Sequence, residues 1–209
     1  GINLRGPDGS ESTPKDITGL AMGDGTDTSG GQVTSNVITD TIKELEGFSD
    51  DTYFDVNANR AGFGSDTRTD PVTGEVTTIT EGMTVTREEA EADLNRRLDT
   101  EFIPSVIDAV GSDTFNSMAA TTQAALTSIA YNYGAGWADK LPTLAAAAAT
   151  GDVNAIADAI EDRAVDNNGI NNDRRTREAE MVRSGITLGG DVASADEIDR
   201  NIVLASATG

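Results

Sequence analysis

Cysteine and histidine are both absent from the 209 residues. Without cysteine there are no disulfides, thiol nucleophiles or thiolate-bound metals. Without histidine, a Ser-His-Asp triad, a Cys-His pair and an imidazole-ligated zinc site are all excluded. Proton transfer in any enzymatic role then falls to carboxylates, lysine, tyrosine or water. Aromatic residues are scarce, at 4% with one tryptophan, so burial relies on Ala, Leu, Ile and Val in helices. Long apolar runs are missing as well. The longest, residues 144–149, falls far short of the about 20 residues that span a bilayer, and no membrane partner is expected. The N-terminus shows no basic segment followed by an apolar one, so no secretory signal is expected. Gly1 in place of Met suggests a chain processed or excised from something longer.

Positive charge is in deficit. Fifteen Lys and Arg face 36 Asp and Glu, for a net −21. The surplus is not confined to the ends, because residues 37–184 hold 27 acidic and 12 basic side chains, a net of −15. This excludes a nucleic-acid partner, which needs clustered Lys and Arg. The field favours solubility, suits a saline setting and repels anionic polymers at low salt.

The chain divides by composition. Residues 1–36 are rich in Gly, Ser, Thr and Asp with no apolar stripe, and read as a flexible linker. Val37, Ile38, Ile42 and Leu45 fall at helical spacing and predict a short amphipathic helix ending near Gly47. Over residues 51–82, Tyr53, Phe54, Phe63, Val72, Val76 and Ile79 alternate with polar and turn residues, and TDPVTGEV has hairpin chemistry. A small, twisted antiparallel sheet is expected there. Thr86 followed by Glu89 forms a capping box. It opens a helix through Ala90, Leu94 and Leu98 towards Val110, with a break expected at Pro104. Further helices are predicted from Phe115 to Met118, and over 123–133 (the most apolar), 138–149, 153–164 and 173–184. Residues 186–209 read as a tail or second linker, leaving one domain over 37–185. The architecture is α+β, with a sheet lobe and a helical bundle meeting at a crevice suited to a ligand.

Glu46 is the first candidate for chemistry. It sits where the helix gives way to the sheet lobe, in IKELEGFSDDTYFDVNANRAGFGSDT. Glycoside hydrolysis needs one protonated carboxyl to donate to the leaving oxygen, and a second carboxylate or ordered water to deal with the cationic sugar. A position walled by helix and sheet desolvates such an acid, and Asp55 can reach across the same crevice. Position alone fits an exposed residue at a helix end better than a catalytic one.

Four segments in register add to this reading. Glu46-Gly47 at the helix end, followed by Tyr53-x-Asp55 and Gly62-Phe63-Gly64, resembles the opening of the phage-type lysozymes, glycoside hydrolase family 24. TEGMTVTREEAEADLNRRL is similar to that family's approach to its long linking helix. FNSMAATTQAALTSIAYNYGAG resembles its central helix with a Tyr-Asn-x-Gly ending at Tyr131, Asn132 and Gly134. NNDRRTREAEMVRSG resembles its arginine-rich closing helix. The resemblance spans about residues 37–185. It implies a lysozyme-like fold and a muramidase that cleaves the N-acetylmuramic acid–N-acetylglucosamine bond of bacterial peptidoglycan without a cofactor. Glu46 would be the general acid and Asp55 the second carboxylate. It further implies action at the cell wall, as a free endolysin or a virion-associated module whose terminal linkers meet other virion proteins. A lytic transglycosylase and a catalytically weak wall-binding module are the alternatives.

This sequence departs from the family pattern at two points. The family's water-positioning Thr has no counterpart, since the Asp55–Gly62 spacing is shorter by a residue than in the best-known member and Arg60 or Ala61 falls nearest. The usual His after the second Gly is replaced by Ser65-Asp66-Thr67, and Asp66 and Thr67 become candidates for part of the missing role. Arg174, with Arg175 as the alternative, matches the closing-helix Arg that approaches the catalytic Glu; either can equally pair with Glu178 or Glu180 along its own helix. Asn132 is a substrate-binding candidate, because its amide both donates to and accepts from an N-acetyl group. Trp137 reads as a core cap, and at most one of Tyr131 and Tyr133 is expected to face the crevice. The DVNAN segment has oxygens suited to Ca²⁺ without the spacing of a known loop, so no metal site is expected.

Overall fold

The structure is a computed structural model and describes residues 29–55 and 57–185. The linker and tail expected over residues 1–28 and 186–209 lie outside the described residues. Helix α1 (Ser29–Glu46) leads into strand β1 (Ser49–Asp55), followed by β2 (Ala58–Gly62), β3 (Thr67–Thr69) and β4 (Val76–Thr78). Helix α2 (Arg87–Arg97) runs through a π-helical turn (Leu98–Phe102) into α3 (Ile103–Val110). Then come α4 (Ser112–Ser117), α5 (Ala120–Tyr133), α6 (Trp137–Lys140), α7 (Pro142–Thr150), α8 (Val153–Glu161) and α9 (Asn172–Ser184).

The core gathers around α5, in which every residue from Ala120 to Ala130 is buried. Small side chains let α1 and α9 pack against it. Val37, Ile38 and Ile42 of α1 are buried at helical spacing, which carries the helix axis past the core and leaves its last residue at the lobe junction. Trp137 is fully buried, as its place beside the Gly-rich turn suggested.

Four features differ from the sequence expectations. The helix expected over residues 138–149 is two, α6 and α7, interrupted at Leu141, whose backbone leaves the helical region ahead of Pro142. Helix α1 starts at Ser29, inside the segment read as linker. Residues 29–36 include two glycines and lack an apolar stripe, so neither propensity nor periodicity announces this extension. The sheet is two separate antiparallel pairs, β1–β2 and β3–β4, with an isolated bridge between Ala61 and Ser65 at the turn that follows β2. The backbone reverses sharply at Gly62 (φ +62°), where a Cβ would come within 2.7 Å of Ala90 Cβ; only glycine lets the hairpin lie this close to α2. The long helix also passes Pro104 without a break. The π turn precedes it, with Ile103 N–H bonded to Leu98 O, and Pro104 takes an early position in α3 where no amide is required.

The remaining elements follow their local signals. The capping box at Thr86 and Glu89 is present in both directions. In the TDPVTGEV turn, Asp70 Oδ1 accepts from the amides of Val72 and Thr73, each at 2.8 Å. The sheet lobe is fastened to α2 by the buried Asp93, whose carboxylate accepts from the hydroxyls of Ser65 (2.6 Å), Thr67 (3.0 Å) and Thr69 (2.8 Å) and pairs with Arg96 (2.8 Å).

Candidate active site

A cavity of about 380 Å³ lies between the sheet lobe and the bundle. Tyr53, Asp55, Arg60 and Gly64 line it from the sheet lobe, and Glu46 faces them from the end of α1. The π turn contributes Glu101 and Phe102, the end of α2 contributes Arg97, and residues 131–135 close the bundle side.

Glu46 is four residues beyond Ile42, so it projects from the core-facing stripe of α1. The helix ends there, and the side chain is left 19% exposed rather than sealed in. Its Oε1 lies 2.7 Å from Arg174 Nη1 on α9. Gly64 (φ +80°) passes directly over the carboxyl, and a methyl group there would sit 3.5 Å from Glu46 Oε2 and 4.0 Å from the Tyr53 hydroxyl. Glycine at this point both permits the backbone turn and keeps the acid open to a ligand.

The β1–β2 hairpin supplies the opposing group. Tyr53 and Asp55 share one face of β1, being two residues apart, and Arg60 pairs across the register with Tyr53. Arg60 Nε donates to Asp55 Oδ2 at 3.1 Å and its Nη1 to the Gly64 carbonyl at 3.1 Å. Asp55 itself is half exposed. On the bundle side Arg97 pairs with Glu101 at 3.1 Å and stacks on Phe102. Each cavity carboxylate thus faces an arginine: Glu46 with Arg174, Asp55 with Arg60, Glu101 with Arg97. The net −21 of the chain is therefore offset locally in the crevice by these three arginines.

The tyrosines are held out of proton transfer. Burial pushes the Tyr131 hydroxyl well above its ordinary range, helped by the Glu46 charge, and the hydroxyl donates to Phe63 O at 2.7 Å. Tyr133 is pushed up to about 12 by burial and by its hydrogen bond to Asp166. Tyr53 is raised by burial and then by the Asp55 charge. The carboxyl groups of Glu46, Asp55 and Glu101 are the remaining candidates for proton transfer among the cavity's side chains. Among the described residues, no group of three or more His, Cys, Asp or Glu side chains is placed to hold a metal ion, and no helix is long and apolar enough to cross a membrane.

Of the residues singled out by sequence, Glu46, Asp55, Arg60 and Asn132 line the cavity, and Arg174 touches Glu46 from beneath. Arg174 also contacts Glu178 Oε1 at 3.2 Å, so pairing within its helix and approach to Glu46 are both realised. Burial pulls its guanidinium down, but the charges of Glu46 and Glu178 outweigh this and hold it above its ordinary range. Asn132 is anchored from below: its Oδ1 accepts from Arg175 Nη2 at 3.0 Å, and its NH2 group is left to donate to a ligand. Asp66 and Thr67 do not line the cavity. Thr67 is drawn to the buried Asp93, which needs donors, and Asp66 lies 3.5 Å from Arg97. Tyr131 and Tyr133 both line the crevice, Tyr131 packed against Phe102 at a ring distance of 4.8 Å and Tyr133 as the last residue of α5. Arg97 and Glu101 were missed. Their four-residue spacing on a helix marks an ion pair, but not one that faces a cavity.

The family model for phage lysozyme matches residues 43–180 of the chain. No curated protein matches it. Among solved structures, the chain is similar to the endolysin from Escherichia coli O157:H7 phage FAHEc1, at 23% identity over 73% of this chain and 94% of that one, with a TM-score of 0.56. It is also similar to a variant of P22 lysozyme, at 24% identity over 71% and 96%, with a TM-score of 0.55. The muramidase domain of SpmX from Asticaccaulis excentricus gives 20% identity over 69% and 93%, with a TM-score of 0.53. At these identities the three structures bear on the fold.

Proposed function

This chain belongs to the phage lysozyme family, and from that premise we propose that it hydrolyses the glycosidic bond between N-acetylmuramic acid and N-acetylglucosamine with Glu46 as the proton donor. The observation that carries the assignment is the placement of Glu46. It is a mostly buried carboxyl at a helix end, open to a cavity that Asp55 lines from the opposite lobe. In this reading Glu46 protonates the leaving glycosidic oxygen. Asp55, held by Arg60, stabilises positive charge on the sugar or orients the attacking water. Asn132 donates to an N-acetyl carbonyl, fixed in that role by Arg175. Arg60 occupies the region where the family places a water-holding Thr, and it acts there through Asp55 and the Gly64 carbonyl.

The place of action is the bacterial cell wall. The finer setting we propose is a virion-borne lytic domain over residues 29–185, α1 carrying it ahead of the start expected at residue 37, tethered to other virion proteins, a reading supported by the Gly-, Ser-, Thr- and Asp-rich composition of residues 1–28. Mass analysis of the fragments released from purified peptidoglycan tests the reaction type. Hydrolysis leaves reducing muramic acid ends that carry one added water. Anhydro-muramic ends would instead assign the chain as a transglycosylase, and an absence of fragments would remove the enzymatic reading.

A further inference from the structure

Beneath the crevice floor lies a charge cluster that the reaction as described does not use. Arg175, Glu178, Ala179 and Val182 are buried at helical spacing on α9, so an arginine and a glutamate occupy positions on the core stripe. Arg175 and Glu178 are both fully buried, and Arg174 is only 12% exposed. Glu178 lies three residues from Arg175 and four from Arg174, and both guanidinium groups reach its carboxylate. Arg175 Nη1 is 2.7 Å from Oε2 and Arg174 Nε is 3.2 Å from Oε1, while Ser128 on α5 donates to Oε1 at 2.5 Å. Each arginine then reaches onward to a different crevice residue, Arg174 to Glu46 and Arg175 to Asn132. Burying such a cluster is costly, and packed apolar residues serve stability as well or better. The arrangement calls for another reason.

We propose that Glu178 is a positioning residue for the glycosidase reaction, holding Arg174 and Arg175 apart so that one buried carboxylate orients both the Glu46 carboxyl and the Asn132 amide. The inference rests on the assignment of Glu46 as proton donor. The geometry shares one cation between two carboxyl groups. Arg174 Nη1 lies 2.7 Å from Glu46 and its Nε 3.2 Å from Glu178. Burial pushes the Glu178 carboxyl up, and the two arginines pull it back. The other charged or titratable groups around Glu46 are Tyr53 and Asp55 from β1, Arg60 from β2, Arg97 from α2, Glu101 from the π turn, Tyr131 and Tyr133 from α5, and Arg175 from α9. Around Glu178, among the described residues, they are the two arginines, with Ser128 from α5.

The test compares Glu178→Gln, Glu178→Asp, Glu46→Gln and the parent chain on purified peptidoglycan fragments, with kcat, KM and the pH profile as readouts and circular dichroism to check folding. In Glu178→Gln, Arg174 bears on Glu46 unopposed and Arg175 loses its anchor. The expected result is a kcat lower by about 10- to 100-fold, an alkaline limb moved to lower pH, and a raised KM. Glu178→Asp keeps the charge on a shorter arm, so kcat falls while the alkaline limb stays near its parent position. A folded Glu178→Gln with parent kcat and parent profile overturns the proposal, as does an equal loss in both variants with no movement of the profile. Should the Gln variant not fold, the Asp variant decides, and a parent-like kcat there refutes the positioning role. Full activity in Glu46→Gln overturns the acid assignment itself. Loss in Glu46→Gln beside an indifferent Glu178→Gln overturns the positioning role alone.

Discussion

The attachment of the sheet lobe to the bundle can be tested at one carboxylate. Asp93 is fully buried and is the common acceptor for Ser65, Thr67, Thr69 and Arg96. The three hydroxyls come from the segment that follows Gly64, so the anchor bears on the backbone that passes over Glu46. Asp93→Ala removes the acceptor that all four donors share, while Arg96 keeps its weaker pairing with Glu101 at 3.6 Å. Hydrogen bonds to a charged group contribute about 1.5–3 kcal/mol each, but four that share one ion do not add. Breaking a buried pair by removing one member costs about 3–5 kcal/mol. Arg96 is 28% exposed and can turn to water, which places the expected loss near the lower end, about 3–4 kcal/mol. At about 2–4 °C per kcal/mol for a domain of this size, Tm should fall by about 6–16 °C. Asp93→Asn keeps one acceptor oxygen and should lose about 1–2 kcal/mol. Thermal melts followed by far-ultraviolet circular dichroism measure both. A Tm for Asp93→Ala within about 2 °C of the parent would refute the claim that this carboxylate holds the lobes together.

Three further outcomes are expected. Gly64→Ala and Gly74→Ala both force a side chain into left-handed backbone and should each lose about 1–2 kcal/mol. Only Gly64→Ala should also lose peptidoglycan hydrolysis, because its methyl meets Glu46 while Gly74 faces open space; equal activity in the two would count against the proposed access route. Arg183 holds the Glu161 carboxyl below its ordinary range through a hydrogen bond. That stabilisation is present above the ordinary carboxylate pKa and lost as pH falls through the depressed value. Both side chains are more than a third exposed, so Arg183→Ala should cost only about 0.2–1 kcal/mol at neutral pH, with the urea midpoints of parent and variant converging in acid. Finally, hydrolysis of intact walls should rise with added salt over the low range, as screening shortens repulsion from the net −21 to about 8 Å at physiological ionic strength; a steady fall from the lowest salt would contradict this.

Much of the fold was legible because its signals are local. The spacing of Val37, Ile38 and Ile42, the capping box at Thr86 and Glu89, and the Asp70 turn each depend on residues a few positions apart, and each is present in the structure. The site was legible where it follows from these elements. Glu46 ends α1 and Asp55 ends β1, so both reach the junction of the lobes. What escaped depends on partners distant in the chain. Asp93 reads from sequence as one more acid on a polar helix, and only the packed lobe brings three hydroxyls to it. Thr67 was a reasonable candidate for the crevice until Asp93 claimed its hydroxyl. Glu178 appeared as a partner of Arg174, as it is, but nothing local shows that it is buried beneath the acid. The glycine-bearing start of α1 carries no periodicity to read.

The central claim is that Glu46 donates the proton. The most direct measurement is turbidity loss of purified peptidoglycan with the parent chain and Glu46→Gln, both confirmed folded, across a salt series. Glutamine keeps the size of the side chain and its contact with Arg174 but has no proton to give. Clearing by the parent and none by the variant at every salt concentration is the predicted result. Equal clearing by both would contradict the account and move the acid elsewhere in the crevice.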